Sequence, residues 1–314
     1  MALVTDPITV TGYDDELYVY QPLPERVPLR WPGGAAVAFY PVVIVEYFEE
    51  EPPPVTVVAG DVYGGLGPGG VMRHPQVTRV GNRDYGHRVG FFRLMSILQE
   101  LSIRAVIAID AMSAEAYPAI AAWITAHDAE VIAHGRSVTQ AISSRMKPDK
   151  EREYIADSKA RIDGALGVTT KGWLGPSSSE SGHTLQLLAE AGFEYCLDWP
   201  NDEQPYYFGT TPALLSLPPL FDLSDNQAIH ARGLYNMRYA SSLVKAAERL
   251  VADGATSGRL LSFTLSTFTS GQPARSHYLQ EALRAITALD GVWVTTPAEV
   301  AAALAAGTAA VGQA

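Results

Sequence analysis

The sequence predicts an α/β fold, one closed or nearly closed (β/α) barrel of seven or eight mostly parallel strands. Short β-branched runs alternate with helix-period runs from Ala35 onward. The alternation has no fixed-period repeat and no composition break after Gly34, which favours one barrel over two domains. A doubly wound nucleotide-binding sheet would need a glycine-rich loop after its first strand, whereas the chain after Val45 reads EYFEEEPPPVTVVAG.

The elements follow in order. AAVAFYPVVIV reads as the first buried strand, and RVGFFRLMSILQEL places Val89, Phe92, Leu94, Met95, Leu98 and Leu101 near a 3.6-residue period. RAVIAI and the helix AEAYPAIAAWITAHD form a second unit, and EVIAHG with a helix over 149–166 a third. KGWLG and TLQLLAEAG form a fourth, with Gly192 as the helix stop. EYCLDW and ALLSLP add strands, followed by the helix LVKAAERLVADG, the strand RLLSFTL, the helix HYLQEALRAITALDG and the strand VWVTT. Pro297 opens a terminal helix. Residues 1–34, polar and proline-rich, read as an N-terminal arm packed on the body, and 35–314 as the single barrel.

With 314 residues, 47% of them hydrophobic, the chain has material for a large core. Its 23 Lys+Arg against 34 Asp+Glu give a net charge of −11, the wrong sign for a nucleic-acid backbone or an anionic membrane surface. No apolar run approaches a bilayer span and the first residues lack a signal-peptide pattern, so a cytoplasmic protein is expected. The lone Cys196, inside FEYCLDW, reads as a small buried hydrophobe.

In a parallel barrel the chemistry gathers at the carboxyl ends of the strands. There the sequence places Glu46, Asp110, His134, the run from Trp173 to Glu180, Asp198, Asn201, Asp202, Ser266 and Thr267. An imidazole and a carboxylate converging on one mouth make an acid and a base, or two ligands of a metal. Asp110 also reads as the N-cap of a helix starting near Ser113, and His127 as a C-terminal partner of the helix before it. In RDYGHRVGFFRL a glycine permits a tight helix entry, from which Tyr85, His87 and Arg88 would project toward the mouth. Arg83, Arg88 and Arg136 leave room for a carboxylate-bearing substrate. The acidic run 46–51 with its prolines, and DVYGGLGPGGVM, read as loops.

The series WPGGAAVAF, RDYGHRVGFFRL, IRAVIAID, EVIAHGRS, KGWLGPSSSES, AGFEYCLDWPNDEQPYY and SGQPAR resembles, in order and spacing, the polysaccharide deacetylase (NodB-type) family. The likeness is to the branch containing metal-independent allantoinase and cyclic imide hydrolases, and covers about Leu29 to Ala305. It implies an irregular (β/α) barrel and hydrolysis of a non-peptide, amide-type C–N bond by water at the barrel mouth. Typical members hold a divalent metal with a first-strand acid and a His-x-x-x-His pair, and use a neighbouring carboxylate as base and a late-strand histidine as acid. Here the first-strand acid corresponds to Glu46, with Tyr47 or Ile44 at the second acidic position. The histidine pair reads His134 and Val138, and Ser266 stands for the late histidine. One carboxylate and one imidazole fall short of a catalytic zinc set, so no cofactor is expected and zinc is disfavoured.

The leading expectation is a metal-independent hydrolase of a small-molecule substrate. In it Glu46 or His134 activates water, Ser266 and loop amides near Gly175 polarise the carbonyl, and Tyr85, Arg88, Trp173, Pro176, Glu180, Asp198 and Asp202 orient the substrate. A repurposed barrel running proton abstraction, elimination or cyclisation is the second reading, and a catalytically inactive binding protein the third. The second would want a dry pocket crowded by Trp173, Trp199, Tyr206, Tyr207 and Phe268. A homo-oligomer is expected because related enzymes assemble.

Overall fold

A computed structural model describes residues 17–49 and 77–307. The start of the arm, the loops predicted over 50–54 and 61–72, and the last seven residues lie outside the described residues.

The first strand, β1 (Val37–Val45), is nine residues of almost wholly buried VAFYPVVIV. Its nearly continuous apolar run, ending in the β-branched VVIV, suits a strand covered on both faces. A helix follows in three parts, α1 (Val77–Tyr85), a π-helical turn (Gly86–Gly90) and α2 (Phe91–Glu100). Next come β2 (Val106–Ile109), α3 (Ala111–Ala116), α4 (Pro118–Ala126), β3 (Glu130–Ala133) and α5 (Pro148–Leu166). The chain continues with β4 (Gly172–Trp173), α6 (Thr184–Glu190), β5 (Tyr195–Cys196), β6 (Tyr206–Tyr207) and β7 (Leu215–Ser216). It closes with α7 (Asn236–Gly254), β8 (Arg259–Ser266), α8 (Pro273–Thr287), β9 (Val292–Val294) and α9 (Pro297–Ala305).

The described strands form one curled sheet in the order β6-β7-β5-β4-β3-β2-β1-β8, parallel throughout except for β6 against β7. β1 is the axis of this sheet. β8 runs along one of its edges, while β9 takes Val37–Phe39 and β2 takes Val42–Val45 on the other. The sheet nearly closes: β8 exchanges isolated hydrogen bonds with the other end, Leu260 N–H to Glu203 O and Leu220 N–H to Ser262 O, both 2.7 Å. The α/β barrel-like class is therefore as the sequence predicts.

Two elements differ from expectation. AEAYPAIAAWITAHD is two helices, because Pro118 lacks an N–H and pushes Tyr117 out of the helical region (φ −117°, ψ 76°). Tyr206–Tyr207 adds a strand beyond the seven or eight counted, a two-residue pair too short to leave any periodicity.

Packing divides by strand parity. Val43, Val45, Ile107, Ile109, Ala133, Trp173 and Cys196 join the cluster between sheet and helices. Ala38, Tyr40, Val42, Ala108, Ile132, Leu174, Tyr195 and Leu197 fill the inside of the curl. The segment before β1 packs against the body: Trp31 is buried and its indole N–H donates to Arg259 O, while Arg26 forms a bidentate pair with Asp202.

Gly90 lies where the π-helical turn touches the loop after β8, and a Cβ there would overlap the Thr267 carbonyl. Overpacking of this kind costs about 1–3 kcal/mol. Gly90→Ala is accordingly expected to lower the urea midpoint by that equivalent with an unchanged m-value; an unaltered midpoint would show that the two segments can separate freely.

Candidate active site

Register puts the key groups together. Val45, Ile109 and Ala133 stand in one row across β1, β2 and β3. The next residues, Glu46, Asp110 and His134, are thus at the same step just beyond the strands. Gly135 (φ +71°) then turns the chain in the left-handed region, and Pro176 packs where a Cβ on it would sit.

Asp110 caps α3 as predicted, accepting from Ser113 N–H at 2.6 Å. Its other oxygen accepts from Tyr47 N–H at 2.5 Å, which pins the chain leaving β1. Tyr47 O in turn accepts from Val138 N–H at 3.3 Å. Two residues on from Tyr47, Glu49 accepts from Ser137 and Thr139 hydroxyls and the Gln140 amide; burial disfavours its charge, but these bonds outweigh it and hold the carboxyl below its ordinary range.

His134 is 2% exposed, and its Nδ1 faces the Leu174 carbonyl, which requires Nδ1 to carry the proton. Its Nε2 lies 3.4 Å from Glu46 Oε1. Burial works against the imidazolium, but the Glu46 carboxylate, then Asp110 and the Leu174 carbonyl, outweigh it and raise the His134 pKa.

Glu46 and His134 open on a cavity of about 310 Å³ lined also by Ile44, Arg83, Val138, Asp198, Phe268 and Ser266. Arg83 reaches it with its guanidinium carbon 3.2 Å from the Phe48 ring centre and 4.1 Å from that of Phe268, and Nη1 3.9 Å from Glu46 Oε2. Asp198 Oδ1 accepts from Gly175 N–H at 2.7 Å. Burial pushes Asp198 up to about 6 and Glu180 beside it well above its usual range. At the end of β8 the buried Asp225 accepts from Ser266 N–H (2.8 Å), Ser266 Oγ (3.1 Å) and Ser270 Oγ (2.7 Å). Burial raises Asp225 to about 6 against these three bonds.

Of the predicted site residues, Glu46, His134, Asp198 and Ser266 share the cavity. The other six are elsewhere. Arg88, projected onto the mouth, is an exposed partner of Asp84, because α1 already runs over Val77–Tyr85 and residues 85–88 lie where it joins the π-helical turn, not at an N-terminus. Tyr85 accepts from Arg93 at 2.5 Å. Trp173 has the outward parity of Ala133 and packs edge-on against Phe193 among the helices. Pro176 packs on Gly135, Glu180 takes the Trp199 indole N–H at 3.1 Å, and Asp202 holds Arg26. His87 is also inward-facing, bonding Glu46 O at 2.9 Å and stacking on Tyr117 at 4.1 Å, so it supports β1's exit rather than the cavity. The Gly175 amide is taken by Asp198, and Ser266's hydroxyl by Asp225, so neither is disposed to polarise a carbonyl as the sequence reading has it.

Arg83, Phe48 and Asp225 complete the arrangement. Arg83 is among the arginines the sequence places near the site, whereas Asp225, inside the polar run SDNQ after LLSLPPLFDL, has no spacing signal to Ser266. Around His134 the donors do not make up the metal set that the resemblance implies: Val138 and Ile44, both apolar, line the same space, and Glu46 is shared with a guanidinium. Among the described residues, Glu180, Cys196 and Asp198 are a separate acidic group with ligand atoms within 4.8 Å of one another.

Residues 83–196 match the family model for polysaccharide deacetylase. A Schizosaccharomyces pombe protein assigned by name to the polysaccharide deacetylases is 22% identical over 240 residues, 70% of this chain and 74% of that one. Among solved structures, Puue allantoinase superposes with a TM-score of 0.78 at 24% identity, covering 88% of this chain and 92% of its own. A polysaccharide deacetylase-type structure from Pseudomonas aeruginosa PAO1 gives 0.75 at 24%, covering 87% and 92%. One from Mycobacterium smegmatis gives 0.73 at 23%, covering 90% and 94%. The family resemblance read from the ordered motifs is thus found again in both sequence and fold.

Asp110 is pushed up to about 7 by burial, against its bonds from Tyr47 and Ser113 and the nearby His134. The folded chain therefore holds this proton more tightly than the unfolded chain, whose carboxyl titrates near 4. The resulting stabilisation is complete below about pH 4 and is lost as pH rises through about 7. Urea unfolding free energy is expected to fall across that window, and Asp110→Asn, which keeps the cap, to flatten the slope. A slope unchanged in that variant would place the proton elsewhere.

Proposed function

We propose that the cavity hydrolyses a C–N bond of a small, non-peptide amide or cyclic imide without a resident metal. The observation that carries this reading is the 3.4 Å approach of Glu46 Oε1 to His134 Nε2 on the floor of a small cavity. Glu46 takes a proton from the attacking water, and oxygen adds to the substrate carbonyl. The imidazolium of His134, raised in pKa and fixed through Nδ1, offers its Nε2–H to the developing oxyanion and then to the departing nitrogen. Arg83, across the Glu46 carboxylate, adds a fixed positive charge to the same space. Asp198 and Ser266 bound the substrate on the remaining sides.

Hydrolysis is preferred to a repurposed, dry aromatic pocket because, of the five aromatics that such a pocket would gather, Phe268 alone lines the cavity; Trp173, Trp199, Tyr206 and Tyr207 do not. The donor set at His134 supports metal independence. Succinimide, hydantoin and N-acylated amines are the panel to assay. Turnover of at least one is expected to survive dialysis against EDTA and 1,10-phenanthroline, and Glu46→Gln to lower kcat by about 10²–10⁴-fold, the range of a lost general base. Zinc bound stoichiometrically through His134, or activity abolished by chelation and restored by metal, would overturn the reading.

A further inference from the structure

Ser266 is 5% exposed at the end of β8, and its side chain borders the cavity that Glu46 and His134 share. Its hydroxyl hydrogen is committed. Oδ2 of Asp225 receives the Ser266 amide and the Ser270 hydroxyl, and Oδ1 receives the Ser266 hydroxyl. An ionised carboxylate has only acceptors to offer, so Ser266 Oγ must donate to it. What remains on Oγ is a pair of acceptor lone pairs, and the cavity is the space left to them.

We propose that Ser266 is a hydrogen-bond acceptor that reads an N–H of the substrate, with Asp225 as the positioning residue that fixes its polarity. The substrate class is then one with an unsubstituted nitrogen beside the scissile carbonyl, such as an N–H imide or ureide, and N-alkylated relatives are excluded. This subsite rests on the reading of the cavity as a C–N hydrolase site, though binding tests it without turnover. A site built to pair with a substrate N–H discriminates strongly against an analogue that lacks it, because the buried acceptor is then left without a donor.

Succinimide against N-methylsuccinimide, and hydantoin against its 3-methyl derivative, are the probes, measured by titration calorimetry and by initial hydrolysis rate on the full chain. The wild type is expected to bind the N–H member at least about tenfold more tightly, or 1.4 kcal/mol. Ser266→Ala should bring the ratio near one, and Ser266→Thr, which keeps the hydroxyl, should retain it. Asp225→Asn places an amide N–H opposite Oγ, turns the serine hydrogen into the cavity, and should abolish or invert the preference. Thermal unfolding of each variant reports whether it folds, and the Ser266 pair decides the matter should the buried Asp225 variant not. Binding selectivity without hydrolysis supports the subsite while sinking the hydrolase reading. Hydrolysis of both ring types at equal rates sinks the subsite and spares the hydrolase. Equal binding, or binding of neither ring, also overturns it.

Discussion

The double acceptance by Asp110 is the contact on which the site's geometry depends. One oxygen starts α3 and the other holds the amide of Tyr47, so the end of β2 fixes the first helix after it and the exit of β1 together. Glu46, next to Tyr47, is thereby held level with His134 just beyond β3. Strand register alone would bring these residues to the same height, but beyond the last ladder bond a chain is free to diverge. The buried carboxyl replaces that missing ladder, and His87 and Val138 reinforce it from the π-helical turn and the loop after β3.

Around this frame lie acids that burial makes reluctant to ionise. Asp110, Asp198 and Asp225 all sit above their ordinary range, and each accepts hydrogen bonds from backbone, hydroxyl or thiol donors. Donors of this kind are fixed in direction. A carboxylate held by them sets the polarity of its neighbours, as Asp225 does for Ser266, in a way that a mobile lysine could not. The guanidinium in the cavity, Arg83, is itself confined between two rings. The result is a site whose charges are positioned before any substrate arrives.

The strands and most helices were legible because buried β-branched runs and 3.6-residue patterns are local signals. Glu46, Asp110 and His134 were legible for a related reason: each is the first polar residue after such a run. Trp173 was not, because a two-residue strand gives no phase from which to read inside or outside; only its pairing with Ala133 shows that it faces the helices. Arg88 was misplaced because a helix start was inferred from Gly86, when glycine there serves close contact with Thr267 and Phe268. Asp225 meets Ser266 through tertiary packing, and no spacing rule connects the two.

The division of one β1 edge between β9 and β2, with β8 on the other, bears on the order of assembly. β1 is made before the other described strands, yet Val37 pairs with Arg259 and Val292, residues far downstream of it. Until those arrive, the most apolar strand of the sheet has an unpaired edge and a half-unpaired one, the kind of surface that invites pairing with another chain. Its neighbours are so distant in sequence that closing them carries a large loop entropy, which slows folding. The strand that delivers Glu46 is therefore the first of the described strands to be made and among the last to be secured, and the floor of the cavity comes into being only as β8 and β9 reach it.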